Sequence, residues 1–200
     1  VMKFPREIAR SLSGYASAPS VVRCCLLSIA ARVGTNNLHA IGHSFLGADS
    51  DGDGLISYED LEEALDNMED FKWWCDDASN LDIGDVLRSG DLDHHGGLGF
   101  TEFVAACMYL DYNSMEDFPK LAFDALDSDR DGLIRVQEIQ SLFRERDRPF
   151  LNTLPQSRPF DLEEWRTCVE DYDQSTELSS SEDDSAPPPN GWFGFMSCVG

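Results

Sequence analysis

Apolar residues recur at three- and four-residue intervals in several stretches of the chain, and polar stretches rich in Asp and Gly separate these stretches. The helical periodicity covers residues 21–33, 37–46, 61–68, 103–109, 115–126 and 162–172. In residues 1–20, by contrast, Pro5, Gly14 and Pro19 are expected to limit any helix. The pattern therefore predicts an all-α protein built from short amphipathic helices.

The helix predicted at residues 21–33 combines an apolar stripe with basic residues, and Arg23 and Arg32 are expected on its surface. One interpretation is an ordinary core helix. The other is a basic amphipathic segment of the kind that calmodulin-like lobes bind, and the pattern leaves both open. In residues 37–46, the side chains expected to face inward are Leu38, Ile41, Phe45 and Leu46.

Residues 127–138, between two predicted helices, read DSDRDGLIRVQE and have the spacing of an EF-hand calcium loop. Carboxylates occupy loop positions 1, 3, 5 and 12, with Gly132 at position 6 and Ile134 at position 8. Alternate side chains of such a tight loop point to one centre, where hard oxygen ligands select a hard cation. The predicted ligands are Asp127, Asp129, Asp131, the carbonyl of Leu133 and Glu138.

Residues 49–60, DSDGDGLISYED, form a loop of the same type. Its predicted ligands are Asp49, Asp51, Asp53, the carbonyl of Leu55, Ser57 directly or through water, and Asp60. Position 12 is Asp rather than Glu, and this shorter carboxylate reaches the ion less easily with both oxygens. The first loop is therefore expected to hold Ca²⁺ more loosely than the third, with Mg²⁺ as a possible competitor.

Residues 91–102, DLDHHGGLGFTE, form a weaker match. The predicted ligands are Asp91, Asp93, His95, the carbonyl of Gly97 and Glu102. Imidazole at position 5 suits transition metals better than calcium. Weak calcium binding is favoured over a zinc site, because the loop offers only two histidines and no nearby thiolate.

A fourth loop is predicted at residues 153–164, TLPQSRPFDLEE, with Phe160 at position 8. Pro155, Ser157 and Arg158 remove two ligand carboxylates and the turn glycine, and they add a positive charge. This loop is expected to bind no metal and to pair with the third. The expected order of calcium affinity is third, first, second, with the fourth silent.

The net charge of −23 is unevenly distributed, because residues 1–33 carry +4 and the remainder carries −27. An acidic body argues against nucleic acid as a partner, since phosphate binding requires clustered Lys and Arg. The sequence contains no run of about 18 apolar residues and no secretory signal pattern. These features predict a cytoplasmic protein without a transmembrane segment.

Several segments together resemble one family. VVRCCLLSIAARV, LHAIGHSFLGADSDGDGLISYEDLEEAL, GDLDHHGGLGFTEFVAACMYL and LAFDALDSDRDGLIRVQEI are similar to the calmodulin-like regulatory domain of calcium-dependent protein kinases of plants and apicomplexan parasites. The resemblance covers about residues 10–172. It implies an EF-hand fold with two lobes, and a basic junction helix around which the hands rearrange on calcium binding to relieve inhibition of a kinase.

Four segments are predicted on this basis. They are a basic junction or autoinhibitory-type segment (1–33), an N-lobe with the first two hands (34–112), a C-lobe with the third hand and a degenerate fourth (113–173), and a disordered acidic, Pro-rich tail (174–200). A linker is expected around residues 111–114.

The expected function is that of a calcium sensor controlling a linked Ser/Thr kinase, with helix 21–33 and that kinase domain as partners. The sequence has no glycine-rich ATP loop, HRD or DFG motif, so this chain is not expected to be an enzyme. The alternatives are a free-standing EF-hand adaptor of calcineurin-B or light-chain type, and a calcium buffer.

Overall fold

The computed structural model describes residues 4–34, 38–67, 82–92, 95–140, 151–152 and 154–177. In chain order the helices and strands are α1 (Arg6–Ser17), α2 (Ser20–Ala30), α3 (His39–Ala48), β1 (Leu55–Ile56), α4 (Tyr58–Asp66), α5 (Ile83–Gly90), β2 (Leu98–Gly99), α6 (Phe100–Cys107), a 3₁₀ helix (Tyr109–Ser114), α7 (Phe118–Leu126), α8 (Val136–Ile139) and α9 (Leu162–Glu177). The all-α EF-hand fold is confirmed.

The helix-loop-helix units associate in two pairs through their loops. β1 and β2 are antiparallel, with Ile56 opposite Leu98, both at loop position 8. In the second pair, Ile134 and Phe160 exchange two backbone hydrogen bonds of 2.9 Å. The third loop therefore pairs with the degenerate fourth loop in the predicted register.

Helix α2 lies at the centre of the molecule, and every one of its residues except Leu27 is buried. It packs against α6 of the second hand, α7 of the third hand and α9 of the fourth. Because its neighbours surround it, the predicted surface position of Arg23 is wrong. Arg23 is buried, and its Nη1 donates a 2.6 Å hydrogen bond to the carbonyl of Ala18, where α1 ends. A cation is favoured beside the free carbonyls at a helix C-terminus.

The expectation that Pro5, Gly14 and Pro19 would limit any helix in residues 1–20 also needs correction, because α1 occupies most of this segment. Pro5 stands at the N-cap of α1 and Pro19 follows its C-cap residue, so the prolines bound the helix rather than interrupt it. Gly14 lies where α1 meets Tyr109, and a Cβ there would clash with the tyrosine ring. Helix α1 packs against α5, α6 and the 3₁₀ helix.

Ser11 connects α1 to the end of α6 through buried hydrogen bonds. Its Oγ contacts the carbonyl oxygens of Ala106 at 2.7 Å and Cys107 at 3.1 Å, and it accepts a 3.3 Å hydrogen bond from the backbone N–H of Leu110. The N-terminal helix is thereby built into the first pair of hands.

Three further predictions need correction. Leu46 is 70% exposed, since the buried face of α3 passes through Ile41, Phe45 and Ala48 instead. Residues 111–114, where a linker is expected, are part of the 3₁₀ helix. Tyr112 in this segment is buried and its ring contacts that of Phe118. Helix α9 continues to Glu177, past the predicted start of the tail at residue 174. The rest of the predicted tail, 178–200, lies outside the described residues.

Candidate calcium-binding loops

The first loop folds around the carboxylate of Asp49, which follows the end of α3. Asp49 Oδ1 accepts hydrogen bonds from the N–H groups of Gly52 at 2.9 Å and Asp53 at 3.1 Å, and its Oδ2 accepts one from Gly54 at 3.0 Å. Gly52 and Gly54 have φ of 73° and 90°, which glycine adopts without strain. The structure gathers carboxylate oxygens of Asp49, Asp51 and Asp53 within 4.8 Å of one another.

Asp60, at position 12, lies in the first turn of α4 and closes the first loop. Its Oδ1 accepts hydrogen bonds from the backbone N and the Oγ of Ser50 at 3.0 and 2.6 Å. Its Oδ2 accepts from the backbone N and the Oγ of Ser57 at 3.0 and 2.7 Å. Burial raises the pKa of the Asp60 carboxyl, but the hydrogen bonds from Ser50 and Ser57 together outweigh it and lower the pKa to about 2.

The third loop repeats this arrangement. Asp127 follows α7, and its two oxygens accept from the N–H groups of Asp131 at 3.2 Å and Gly132 at 2.9 Å. Carboxylate oxygens of Asp127, Asp129 and Asp131 lie within 4.8 Å of one another. Glu138, in α8, accepts from Ser128 Oγ at 2.8 Å and from the backbone N of Arg135 at 2.9 Å.

Arg135, at position 9 of the third loop, is a residue of the site that the sequence prediction omitted. Its Nη2 donates a 2.8 Å hydrogen bond to Asp131 Oδ2, and its Nη1 lies 3.9 Å from Asp129 Oδ2 and 3.8 Å from Glu138 Oε2. The hydrogen bond from Arg135 lowers the pKa of Asp131. A positive charge therefore lies among three predicted ligands, and the signal in the sequence was a basic residue where the first loop has Ser57.

The second loop retains the backbone geometry. Asp91 accepts hydrogen bonds from the N–H groups of His95 at 3.0 Å and Gly96 at 3.1 Å, and Glu102 accepts from those of Leu92 at 2.5 Å and Gly99 at 2.9 Å. Asp93 lies outside the described residues.

Gly97 is buried at the β1–β2 pair in the same loop. A Cβ on Gly97 would lie 2.7 Å from the carbonyl oxygen of Ile56. The close approach of the two loops therefore requires glycine at this position.

The position-12 carboxylates of the first three loops make one common set of contacts. In each loop one carboxylate oxygen accepts a hydrogen bond from the residue at position 2, and the other accepts from the backbone N–H at position 9. The carboxylates are those of Asp60, Glu102 and Glu138. Since each lies in the first turn of the helix that leaves its loop, the orientation of that helix is tied to the loop.

These paired loops, with aspartates gathered in the first and third, have the arrangement of the EF-hand fold. The family model described as EF hand matches residues 43–65 and 120–143, which contain the whole of the first and third loops. The EF-hand family implies calcium as the ion.

The predicted resemblance to calcium-dependent protein kinases is also confirmed. The chain is 24% identical over 123 residues to calcium-dependent protein kinase 9 of Arabidopsis thaliana, covering 62% of this chain and 22% of the relative. It is 30% identical over 110 residues to calcium-dependent protein kinase 6 of Plasmodium berghei (strain Anka), covering 55% of this chain and 7% of the relative. The chain thus spans less than a quarter of the length of either relative.

Among solved structures, the C-terminal domain of another protein is 25% identical, covering 76% of this chain and 89% of that chain, with a TM-score of 0.30. Within the described part of the chain, no helix has the length and apolar character needed to cross a membrane.

Proposed function

We propose that this chain is the calcium-sensing regulatory part of a Ser/Thr protein kinase, and that α2 is the helix that responds to calcium occupancy. The observation that carries the proposal is the position of α2, which packs against α6, α7 and α9. The relatives are named calcium-dependent protein kinases, which supports the linked kinase.

The donor sets of the first and third loops suit calcium. Each offers three clustered aspartates, a position-7 carbonyl and a position-12 carboxylate, all of them hard oxygen donors. Mg²⁺ is the proposed competitor at the first loop, because Asp60 is the shorter carboxylate and Mg²⁺ needs fewer ligands. The second loop, with His95, is proposed as a weak site.

The second and third loops are connected to α2 by helices that hold or directly precede their predicted ligands. Glu102 is part of α6, and Asp127 directly follows α7, so two helices that contact α2 carry predicted ligands of the second and third loops. When a position-12 carboxylate turns from its position-2 partner towards the ion site, we expect the helix that holds it in its first turn to reorient. The contacts of α2 then change with calcium occupancy, as in sensor EF-hand proteins.

Linkage provides the test of this coupling. If calcium strengthens the packing of α2, then by linkage the packing of α2 strengthens calcium binding, and a variant with weaker α2 packing should bind calcium more weakly. Val22→Ala removes two methyl groups from the fully buried face of α2. We expect it to weaken calcium binding by about twofold or more in calorimetric titration of the full chain.

The matched control is Leu46→Ala, since Leu46 is exposed on α3, and it should leave the titration unchanged. Equal calcium affinities in Val22→Ala and the wild type would favour a calcium buffer. The linked kinase is tested separately, by reading the coding sequence upstream of residue 1. An upstream sequence without a kinase would favour the free-standing adaptor.

A further inference from the structure

The fourth loop contains an internal cation. Arg158 stands at position 6, where the other three loops have glycine. Its Nη1 donates hydrogen bonds to Glu164 Oε2 at 2.9 Å and to the carbonyl oxygen of Pro159 at 3.2 Å, and its Nη2 donates to Glu164 Oε1 at 2.5 Å. The guanidinium is thus bound by one carbonyl and by both oxygens of one carboxylate.

The two groups that bind the guanidinium occupy ligand positions of an EF-hand. Pro159 is at position 7, which supplies a backbone carbonyl, and Glu164 is at position 12, which supplies a bidentate carboxylate. In the first three loops the position-12 carboxylate instead bonds to position 2. Position 2 of the fourth loop is Leu154, whose backbone N–H donates instead to the carbonyl oxygen of Leu151 at 3.2 Å. Both oxygens of Glu164 accept from Arg158, and Oε2 also accepts a 3.4 Å hydrogen bond from the backbone N–H of Asp161 at position 9.

The same contact connects the fourth loop to the third. Glu164 lies in the first turn of α9, and Phe160, which forms the backbone bridge with Ile134, lies between Arg158 and Glu164 in the chain. The ion pair therefore joins the turn of the loop, which precedes the Ile134–Phe160 bridge, to the first turn of α9, which follows it. The hydrogen bonds from Arg158 also lower the pKa of Glu164, which keeps this carboxylate ionised.

We propose that Arg158 takes the place of calcium in the fourth hand, and that it holds this hand in its paired form whatever the calcium concentration. The third loop then always has a structured partner, and calcium occupancy changes one loop of the pair rather than two. This inference concerns the fold of the C-terminal pair and stands whether or not a kinase is attached.

The test uses the full chain in the presence of a calcium chelator. Arg158→Gln removes the charge and the fork of donors at an exposed position. We expect amide hydrogen exchange at Ile134 and Phe160 to accelerate about two- to fivefold, the range for losing an exposed bidentate ion pair. The β1–β2 pair in the same molecule should exchange at the wild-type rate.

Two further variants make the result specific. Arg88→Gln removes the same charge from the exposed Arg88–Asp85 ion pair of α5, and it should leave exchange at Ile134 and Phe160 unchanged. Glu164→Gln should accelerate exchange at Ile134 and Phe160 as much as Arg158→Gln does. The double variant should exchange at about the same rate as either single variant. Wild-type exchange in Arg158→Gln, or additive effects in the double variant, would overturn the proposal.

Discussion

The substitution Asp60→Asn examines how the first loop is closed in the absence of calcium. Asp60 accepts four hydrogen bonds, two from Ser50 and two from Ser57, and the ionised carboxylate accepts them on both oxygens without a proton of its own to donate. Asn keeps the size of the side chain but places an NH₂ group where one pair of donors points. The variant should therefore lose the interactions that favour the charged form.

The magnitude follows from the pKa of Asp60, which is lowered from an ordinary value of 3.8 to about 2. A difference approaching two units corresponds to about 2 kcal/mol of folding free energy at neutral pH. Because the folded-state pKa is depressed, this contribution is fully present above pH 3.8 and is lost as the pH falls through about 2. Asp60→Asn should thus destabilise the calcium-free protein by about 2 kcal/mol at pH 7 and by progressively less below pH 4.

Urea unfolding in a calcium chelator, followed by circular dichroism between pH 7 and pH 2.5, measures this difference. Asp51→Asn is the control, because it removes the same charge from the same loop at an exposed residue whose Oδ1 accepts from the backbone N of Asp53. A difference between wild type and Asp60→Asn that stays constant down to pH 2.5 would show that the ionised carboxylate is not the source of the stability.

Three other substitutions test separate parts of the structure. Arg135→Ser gives the third loop the position-9 residue of the first loop. It should tighten calcium binding at the third loop several-fold in calorimetry, most strongly at low salt, and an unchanged affinity would refute the role given to Arg135. Gly97→Ala should cost about 1–3 kcal/mol in urea unfolding, because the new Cβ meets the Ile56 carbonyl oxygen, and wild-type stability would mean that the loops separate easily. Ser11→Ala should cost about 1–3 kcal/mol in the same assay, because it removes the hydrogen-bond partner of the buried Ala106 carbonyl and of the Leu110 N–H. An unchanged midpoint would show that the Ser11 hydrogen bonds do not stabilise the contact of α1 with α6.

Local spacing predicted most of the loops and helices. An EF-hand loop is specified within twelve residues, so Asp127, Gly132 and Glu138 identify it without knowledge of the rest of the fold. Pairing through position 8 follows from the same template, which is why Phe160 could be placed opposite Ile134 in a loop that lacks most ligands.

The features that the sequence prediction missed depend on tertiary structure. The burial of Arg23 requires that α2 be enclosed by helices far apart in the chain, and no periodicity within α2 reports that. Helix α1 is not evident from the sequence, because a proline such as Pro5 or Pro19 can either break a helix or stand at its boundary. Arg135 was missed because position 9 was considered only as a source of oxygen ligands.

The central claim, that α2 responds to calcium, is tested most directly by amide hydrogen exchange across α2 with and without calcium. The account predicts that calcium slows exchange in α2 of the wild-type chain, and that the double variant Asp49→Asn/Asp127→Asn, which loses the first ligand of both strong loops, shows little response. If calorimetry shows calcium bound to the wild-type chain while exchange across α2 is the same in both conditions, the claim is contradicted.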